Sequence, residues 1–211
     1  ISSDHNTYFV GAASGGLWRT KNNGISWKPI FDDQDVSSVS ALAVSQKDPN
    51  IVWAGTGETF LIRPAHAIGD GIYKSTDGGD TWTNMGLEKT ARIGRIVIHP
   101  TNPNIVYVAA LGHAHGPQKE RGIYRTTDGG KSWEHVLFIN ENTGGIDIAI
   151  DLNNPDFLLA SMWEIHINSW GLNSGGESGG VFISRDGGDS WERQDKNGLP
   201  GGKGKPVGKV A

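Results

Sequence analysis

The chain has 211 residues and a formal net charge of −4, with 19 Lys and Arg residues against 23 Asp and Glu residues. The basic residues are scattered singly, which excludes the basic stripe typical of nucleic-acid-binding proteins. No apolar run approaches the ~18 residues needed to cross a bilayer, so no transmembrane segment is expected in this chain. The 31 glycines, the eight tryptophans and the absence of cysteine favour many short strands joined by tight turns, without disulfides.

The chain opens at Ile1 without an initiator Met, and no apolar leader follows it. A secretory signal peptide would require such a leader, so the given chain is expected to contain no signal peptide. We therefore expect a processed, trimmed or partial chain.

One phrase occurs four times along the chain. The copies read RTKNNGISW at 19–27, KSTDGGDTW at 74–82, RTTDGGKSW at 125–133 and ISRDGGDSW at 183–191. Their closing tryptophans are 55, 51 and 58 residues apart, and each copy is preceded by a Gly-aliphatic-aromatic run. Repeats of this length indicate an architecture built from similar structural units.

Each unit is predicted to hold four strands, named A to D in chain order. The sequence first predicts a strand B near 7–13. Three pairs of strands A and B follow, at 40–44 and 51–55, at 94–98 and 105–109, and at 146–150 and 157–161. A further strand A is predicted at 206–211. Strand C is the Gly-aliphatic-aromatic run, and strand D begins at the closing tryptophan. Proline turns such as NPN separate A from B.

The predicted fold is therefore all-β: a β-propeller of four-stranded antiparallel blades. Four blade equivalents are expected, at about 1–38, 39–91, 92–144 and 145–205, with 206–211 starting the next strand. They could close into a four-bladed ring, but we expect them to be part of a larger ring.

The repeated phrase could be a catalytic or calcium site, or a structural turn. Catalysis needs different residues converging on one cavity, and a calcium loop needs several carboxylates. The first copy has Asn in place of Asp and keeps its tryptophan, which favours a structural role. In each copy we expect four residues to close the turn and fill the gap between blades, namely the Ser or Thr, the Asp or Asn, the glycine and the tryptophan. They are Thr20, Asn22, Gly24 and Trp27; Ser75, Asp77, Gly79 and Trp82; Thr126, Asp128, Gly130 and Trp133; and Ser184, Asp186, Gly188 and Trp191.

These phrases resemble the Asp-box, or BNR, repeat, S/T-x-D-x-G-x-x-W, found in sialidases, sortilin-type receptors and xyloglucan-active glycoside hydrolases. The wider runs GGLWRT, DPNIVWAGTGE and IGRIVIHPTNPNIVYVAALG are similar to large secreted bacterial proteins described as sortilin-like or glycosyl-hydrolase-like. The resemblance covers the whole chain and implies an Asp-box propeller in an extracellular or cell-envelope location.

Binding residues are expected on the long, irregular B–C loops, since the A–B turns and the Asp boxes lie at the other end of the blades. The candidates are Glu58, Arg63, His66, His113, His115, Arg121, Trp163, Glu164, His166 and Trp170. His113 and His115 could be metal ligands, but two histidines without a third ligand favour ordinary surface residues, so neither a metal nor a cofactor is predicted. Trp163 and Trp170 could stack on sugar rings, or one of them could be ordinary loop packing. Glu58 is the first carboxylate to test.

In the xyloglucan-active enzymes that the repeat resembles, a catalytic carboxylate precedes a Gly-Gly-aliphatic-aromatic-Arg run. Here that run is residues 15–19, and Ala13 occupies the carboxylate position. This departure argues against the family's mechanism. The leading prediction is a non-enzymatic recognition propeller that binds protein or glycan. The alternatives are a glycoside hydrolase completed by blades outside this chain, and a structural subunit of an envelope or membrane-bound assembly.

Overall fold

The protein is described by a computed structural model for residues 4–59, 67–113, 115–196, 198–201 and 204–210. Its strands form four antiparallel sheets, here called blades 1 to 4. Blade 1 holds β1 (Tyr8–Gly11), β2 (Leu17–Thr20) and β3 (Lys28–Pro29); blade 2 holds β4 (Val39–Val44), β5 (Val52–Thr56), β6 (Ile72–Ser75) and β7 (Thr83–Asn84); blade 3 holds β8 (Ile93–Ile98), β9 (Val106–Ala110), β10 (Gly122–Thr126) and β11 (Glu134–Leu137); and blade 4 holds β12 (Thr143–Ile150), β13 (Leu158–Asn168), β14 (Gly171–Ser174), β15 (Gly180–Ser184) and β16 (Glu192–Gln194). A short 3₁₀ helix, Glu88–Thr90, joins blades 2 and 3.

Strand order within each sheet follows the chain, which confirms the A-to-D pattern of the repeat. The first strands of successive blades pack together, β4 on β8 and β8 on β12. Sheets that meet along their first strands and diverge outward form a propeller, so the all-β propeller prediction is confirmed.

The hydrophobic core lies between the blades. β5 and β9 are buried at every position, because both faces of these second strands are covered by neighbouring sheets. Trp53 of blade 2, for example, packs edge-on against Trp133 of blade 3, with ring centroids 6.0 Å apart. The β-branched and aromatic residues of the repeat thus form the surfaces by which blades join.

Each Asp box is a closed turn held by one side chain. In the second box, the Asp77 carboxylate accepts hydrogen bonds from the backbone N–H of Thr81 (2.9 Å) and from the hydroxyls of Ser75 (2.7 Å) and Thr81 (2.6 Å). The Ser75 hydroxyl in turn accepts the Gly79 N–H at 2.8 Å. Gly79 has a φ of 91°, which glycine adopts without strain. These hydrogen bonds close the box into a compact turn.

The box tryptophans reach back to the preceding blade. Trp82 Nε1 donates to the Ile30 carbonyl at 2.8 Å, and Trp133 Nε1 donates to the Met85 carbonyl at 2.7 Å. Trp191 packs between blades 3 and 4 as well, but its Nε1 donates within its own box, to Gly188 at 3.1 Å. Trp82, Trp133 and Trp191 therefore each pack in the gap between their own blade and the blade before it.

A basic residue on strand C of each blade from 1 to 3 reaches forward to the next Asp box. Arg19 donates to the Gly78 carbonyl and forms an ion pair with Asp80 at 2.7 Å. Arg125 repeats this with the Gly187 carbonyl (2.8 Å) and Asp189 (2.7 Å). These side chains fix each box against the blade before it.

Two expectations about strands need correction. The loop after the predicted strand 157–161 is instead a β-hairpin, because β13 continues to Asn168 and pairs with β14. The alternation that buries Ile165 while His166 stays half-buried explains this extension. Residues 206–210 form no strand in the described structure; Val207 makes an isolated bridge to Gly176. A strand A needs a strand B of its own blade beside it, and the described residues hold none after Val207.

Removing the Arg125 contacts should destabilise the fold measurably. Arg125→Met loses charge-assisted bonds to the Gly187 carbonyl, Asp189 and Glu134, and we expect a loss of about 1–2 kcal/mol in the free energy of unfolding after allowing for the exposure of both carboxylates. Arg185→Met is the matched control, since its pair with Glu192 (3.3 Å) is exposed on both sides and should change stability little. Urea denaturation compares the variants, and equal effects would contradict the role given to Arg125.

The Asp boxes should make stability depend on acidity. Hydrogen bonds from Ser190 and Ser184 lower the pKa of Asp186 from its ordinary value of 3.8 to about 2, and similar bonds depress the pKa of Asp77 and Asp128 further. Because these folded-state pKa values are depressed, their contribution is present above pH ~4 and is lost as pH falls toward 2. The triple variant D77N/D128N/D186N should therefore show a shallower fall in melting temperature between pH 4 and 2.

The first box supplies the reciprocal variant. Asn22 already closes this box, because its side-chain Oδ1 accepts the Ser26 N–H at 2.9 Å. Asn22→Asp should steepen the acid dependence, because a carboxylate binds the same donors more strongly than an amide. Identical melting curves for both variants and the wild type would refute this account.

Candidate functional site

The two ends of the blades differ in the kind of connection they carry. At one end the A–B turns bond directly to the Asp boxes, as when the Asn50 carbonyl accepts the Gly78 N–H at 2.9 Å. At the other end, here called the rim, the B–C loops bond to the D–A connections of the next blade, as when the Gln118 N–H donates to the Glu141 carbonyl at 2.8 Å. The irregular loops therefore lie on the rim, opposite the Asp boxes.

One feature of the rim is the hairpin formed by β13 and β14. His166 lies opposite Asn173 across this hairpin, and Trp170 lies at its tip with 87% of its surface exposed. A groove of about 600 Å³, here called the hairpin groove, runs along its base. Its lining residues are Asn142, Glu164, Ile165, His166, Leu172, Asn173, Ser174 and Gly175.

Glu164 is the carboxylate among the groove-lining residues, and it is held in place. Its Oε2 accepts the Ser178 N–H at 3.0 Å. A Cβ at Gly176 would overlap the Glu164 carboxylate, so the backbone approaches this group in a way that only glycine permits. The groove therefore presents an oriented acceptor beside the imidazole of His166 and the amide of Asn173.

Arg121 is completely buried beneath the rim and does not lie on its surface. Its guanidinium donates to the carbonyls of His113 (2.6 Å) and Gly116 (3.3 Å) in its own loop, and to those of Asn142 (2.9 Å) and Ile165 (3.2 Å) in blade 4. Burial, with a smaller effect of Arg92, lowers the Arg121 pKa to about 10. Arg121 therefore joins two rim loops and is not available to a ligand.

Two more of the candidates are buried. Glu58 is 4% exposed and lies beside Arg92, whose Nε donates to the Glu58 carbonyl at 2.9 Å. Trp163 packs in a cluster with Leu111 and Ile146, which supports the packing alternative for this tryptophan. Arg63 and His66 lie outside the described residues.

The two histidines of blade 3 do not converge with further ligands. His115 is exposed, and its Nδ1 lies 3.1 Å from the Ile167 carbonyl of the hairpin. The backbone N–H of His113 donates to Gln118. Within the described ranges, no group of three or more His, Cys, Asp or Glu side chains is placed to hold a metal ion.

Several groove residues are absent from the sequence-based candidates, namely Asn142, Leu172, Asn173 and Ser174. The sequence carries one signal for them, because the alternation of WEIHIN continues strand B past residue 161. A hairpin there would have brought residues 171–174 beside Glu164 and His166. Asn142 has no comparable local signal, since it reaches the groove only through the contact between blades 3 and 4.

A family model described as Sortilin-Vps10, "Sortilin, neurotensin receptor 3", matches residues 70–198, more than half of the chain. The chain belongs to the Sortilin-Vps10 family. In the described part of this family member, no helix is both long and apolar enough to cross a membrane.

Among curated relatives, this Sortilin-Vps10 chain is 24% identical to a xyloglucanase of a Paenibacillus species over 90% of its own length and 20% of the relative's. It is 27% identical to a xyloglucanase of Hypocrea jecorina over 83% of its own length and 18% of the relative's. The chain thus spans about a fifth of the length of these relatives.

Solved structures agree on the fold. The GH74 enzyme of Niastella koreensis superposes with a TM-score of 0.64 at 22% identity, over 90% of this chain and 28% of that one. YCF48 of Cyanidioschyzon merolae gives a TM-score of 0.55 at 18% identity, over 90% of this chain and 53% of that one. The Sortilin-Vps10 chain is therefore a propeller similar to those of glycoside hydrolases.

Removing the Arg121 guanidinium should loosen the rim of this Sortilin-Vps10 propeller. Arg121→Met removes a buried donor that bonds to four backbone carbonyls, and we expect the free energy of unfolding to fall by about 2–5 kcal/mol. Arg95→Met is the control, because Arg95 is exposed and lies 3.6 Å from Asp147, so that its loss should cost less than about 1 kcal/mol. Denaturant titration measures both, and an Arg121→Met loss no larger than the control would contradict the proposed clamp.

Proposed function

We propose that this chain is a recognition propeller that binds a β-glucan of the xyloglucan type in the hairpin groove without cleaving it. The observation that carries the proposal is the hairpin itself, which combines an exposed tryptophan at its tip with an oriented carboxylate, an imidazole and an amide at its base. This combination suits a ligand with apolar ring faces and many hydroxyls.

The residues of the hairpin tip and of the groove have two different chemical roles. Trp170 offers a flat apolar surface on which a pyranose ring can stack. Glu164 can accept hydrogen bonds from sugar hydroxyls, while Asn173 and His166 can donate and accept them. A concave site with a few placed polar groups is typical of small-molecule recognition.

The proposal of recognition without cleavage is supported by the number and position of the carboxylates near the groove. Inverting glycosidases need two carboxylates about 6.5–9.5 Å apart across the substrate. Glu164 is the carboxylate in the described lining of the groove, Glu58 is buried in the rim, and Ala13 occupies the position of the acid expected from the resemblance.

The choice of a glycan over a protein ligand rests on the relatives, whose printed names are xyloglucanases. Because the chain spans a fifth of their length, their activity and substrate enter here only as a proposal for this chain. A polysaccharide ligand also favours an extracellular or cell-envelope location.

Affinity electrophoresis in gels containing xyloglucan tests the proposal. We expect the wild type to be retarded and Trp170→Ala to lose at least about fivefold in affinity, since one aromatic contact of this kind contributes about 1–3 kcal/mol to binding. Trp27→Ala is the control, because this tryptophan is exposed at the Asp-box end and leaves the groove unchanged. Equal retardation of wild type and Trp170→Ala would overturn the site, and no retardation of wild type would overturn the function.

A second candidate is a glycoside hydrolase, which the xyloglucanase relatives favour. It predicts release of reducing ends from xyloglucan and loss of that release in Glu164→Gln. If the wild type releases reducing ends and Glu164→Gln does not, the hydrolase replaces the non-enzymatic proposal. If the wild type binds xyloglucan without releasing reducing ends, the non-enzymatic proposal is supported.

A further inference from the structure

A second concavity lies on the rim at blade 3. It is a cleft of about 470 Å³, here called the Phe138 cleft, between the B–C loop of blade 3 and the segment that runs from β11 into the D–A connection. Its lining residues are Lys119, His135, Phe138, Ile139, Asn140 and Glu141. The hairpin groove is lined by a different set of residues, so the cleft is a separate part of the rim.

One wall of the Phe138 cleft is aromatic. Phe138 is 44% exposed, and its ring contacts the His135 imidazole edge-on, with the ring centroids 5.4 Å apart. The imidazole in turn stacks on the buried ring of Tyr124, with centroids 4.3 Å apart and an angle of 7° between the planes. Two further rings therefore support the exposed Phe138 ring from the protein side, which leaves it as an apolar surface for a ligand.

The backbone fixes the His135 imidazole. Its Nε2 lies 2.9 Å from the Arg121 carbonyl, a contact in which this nitrogen carries the proton and donates it. A Cβ at Gly122 would overlap the same nitrogen, so a glycine there is what leaves room for the ring. With the proton on Nε2, the Nδ1 of the neutral ring is a hydrogen-bond acceptor. The cleft thus combines an apolar ring with an acceptor, and with the charged side chains of Lys119 and Glu141.

A short path of hydrogen bonds joins the Phe138 cleft to the hairpin groove. Glu164 of the groove accepts the Ser178 N–H at 3.0 Å, and the Ser178 hydroxyl accepts the Asn140 amide at 2.8 Å. Asn140 lines the cleft, while Asn142, two residues further along the chain, lines the groove. Two residues of chain span at most about 7 Å. The two concavities are therefore neighbours on the rim.

The ridge between the two concavities, residues 140–142, is held at several points. The Asn142 N–H donates to the Asn140 side chain at 2.9 Å, which closes the ridge into a tight turn. The Glu141 carbonyl accepts the Gln118 N–H at 2.8 Å, and the Asn142 carbonyl accepts the Arg121 guanidinium at 2.9 Å. The positions of cleft and groove are therefore fixed relative to each other. A ligand that occupies both would meet a preorganised surface, which lowers the ordering cost of binding.

We propose that the Phe138 cleft is a second sugar subsite, so that one β-glucan chain crosses the ridge at 140–142 and occupies cleft and hairpin groove together. This inference rests on the proposed function of the hairpin groove. One pyranose unit places its apolar C–H face on Phe138, and its hydroxyls bond to Lys119, Glu141 and the Nδ1 of His135. The cleft thus repeats the chemistry of the groove, with one exposed aromatic ring beside polar groups, as successive sugars of one chain require.

Isothermal titration calorimetry with a xyloglucan oligosaccharide of one repeating unit tests the shared chain, because its four-glucose backbone is longer than the separation of the two concavities. We expect the wild type to bind one oligosaccharide per protein. Phe138→Ala should lose at least about fivefold in affinity, the size expected for one aromatic contact, and should keep the same stoichiometry. Two oligosaccharides per wild-type protein and one per Phe138→Ala protein would mean two separate sites and would overturn the shared chain.

Two further variants separate a sugar contact from a structural effect. Phe138→Tyr keeps the aromatic ring and should bind like the wild type, and Leu152→Ala removes an exposed apolar side chain from an A–B turn at the opposite end and should have no effect. Because Phe138 is nearly half exposed, we expect all variants to melt at the wild-type temperature. Wild-type affinity in Phe138→Ala, with Trp170→Ala weakened, would overturn the second subsite alone. A wild type that does not bind the oligosaccharide would overturn the proposed function and the subsite with it.

Discussion

The closure of the Asp box by one acidic or amide side chain is the interaction on which the rest of this propeller depends. When the Asp77 carboxylate accepts hydrogen bonds from the Thr81 N–H and from the Ser75 and Thr81 hydroxyls, the backbone at the two glycines of the box is held in one conformation. The Gly78 N–H then reaches the A–B turn of its own blade, and the Gly78 carbonyl faces Arg19 of the blade before. The tryptophan that ends the box packs in the same direction, so a local turn also serves as the joint between sheets. An Asp box that opened would therefore weaken both the blade and its junction.

The repeat explains why so much of the fold could be predicted. Four copies of one phrase in the same register fix the strand order, and in blades 2 and 3 the alternating runs place strands A and B to within about one residue of their observed bounds. The rim is less predictable, because its loops differ from blade to blade. The sequence suggested that Arg121 and Glu58 lie on the rim surface, and it did not indicate that both are buried. Burial of Arg121 depends on carbonyls of Asn142 and Ile165, which come from another blade and have no signal near residue 121.

The buried arginines show how the rim maintains its shape without regular structure. Arg121 and Arg92 lie close enough for Arg92 to contribute, after burial itself, to the depression of the Arg121 pKa. Two like charges in one buried region are unfavourable unless their surroundings supply strong acceptors. Arg121 donates to four carbonyl oxygens. Arg92 donates to the Glu58 carbonyl, and the negative charge of Glu58 favours the protonated form of Arg92. Because Arg121 spans the loops of blades 3 and 4, the base of the hairpin groove is tied to a neighbour and not left on a free loop.

The hairpin groove and the packing face of blade 4 occupy separate parts of that blade, and this separation follows from the geometry of a sheet. The hairpin groove extends the second strand beyond the end of the sheet, whereas Leu159 and Ile183 lie on its face, between the Asp box and the rim. Side chains on a sheet face can pack against another blade without reaching groups that lie past the strand end. The hairpin extends past the sheet and therefore lies outside the surfaces through which blades pack, which leaves Trp170 exposed at its tip.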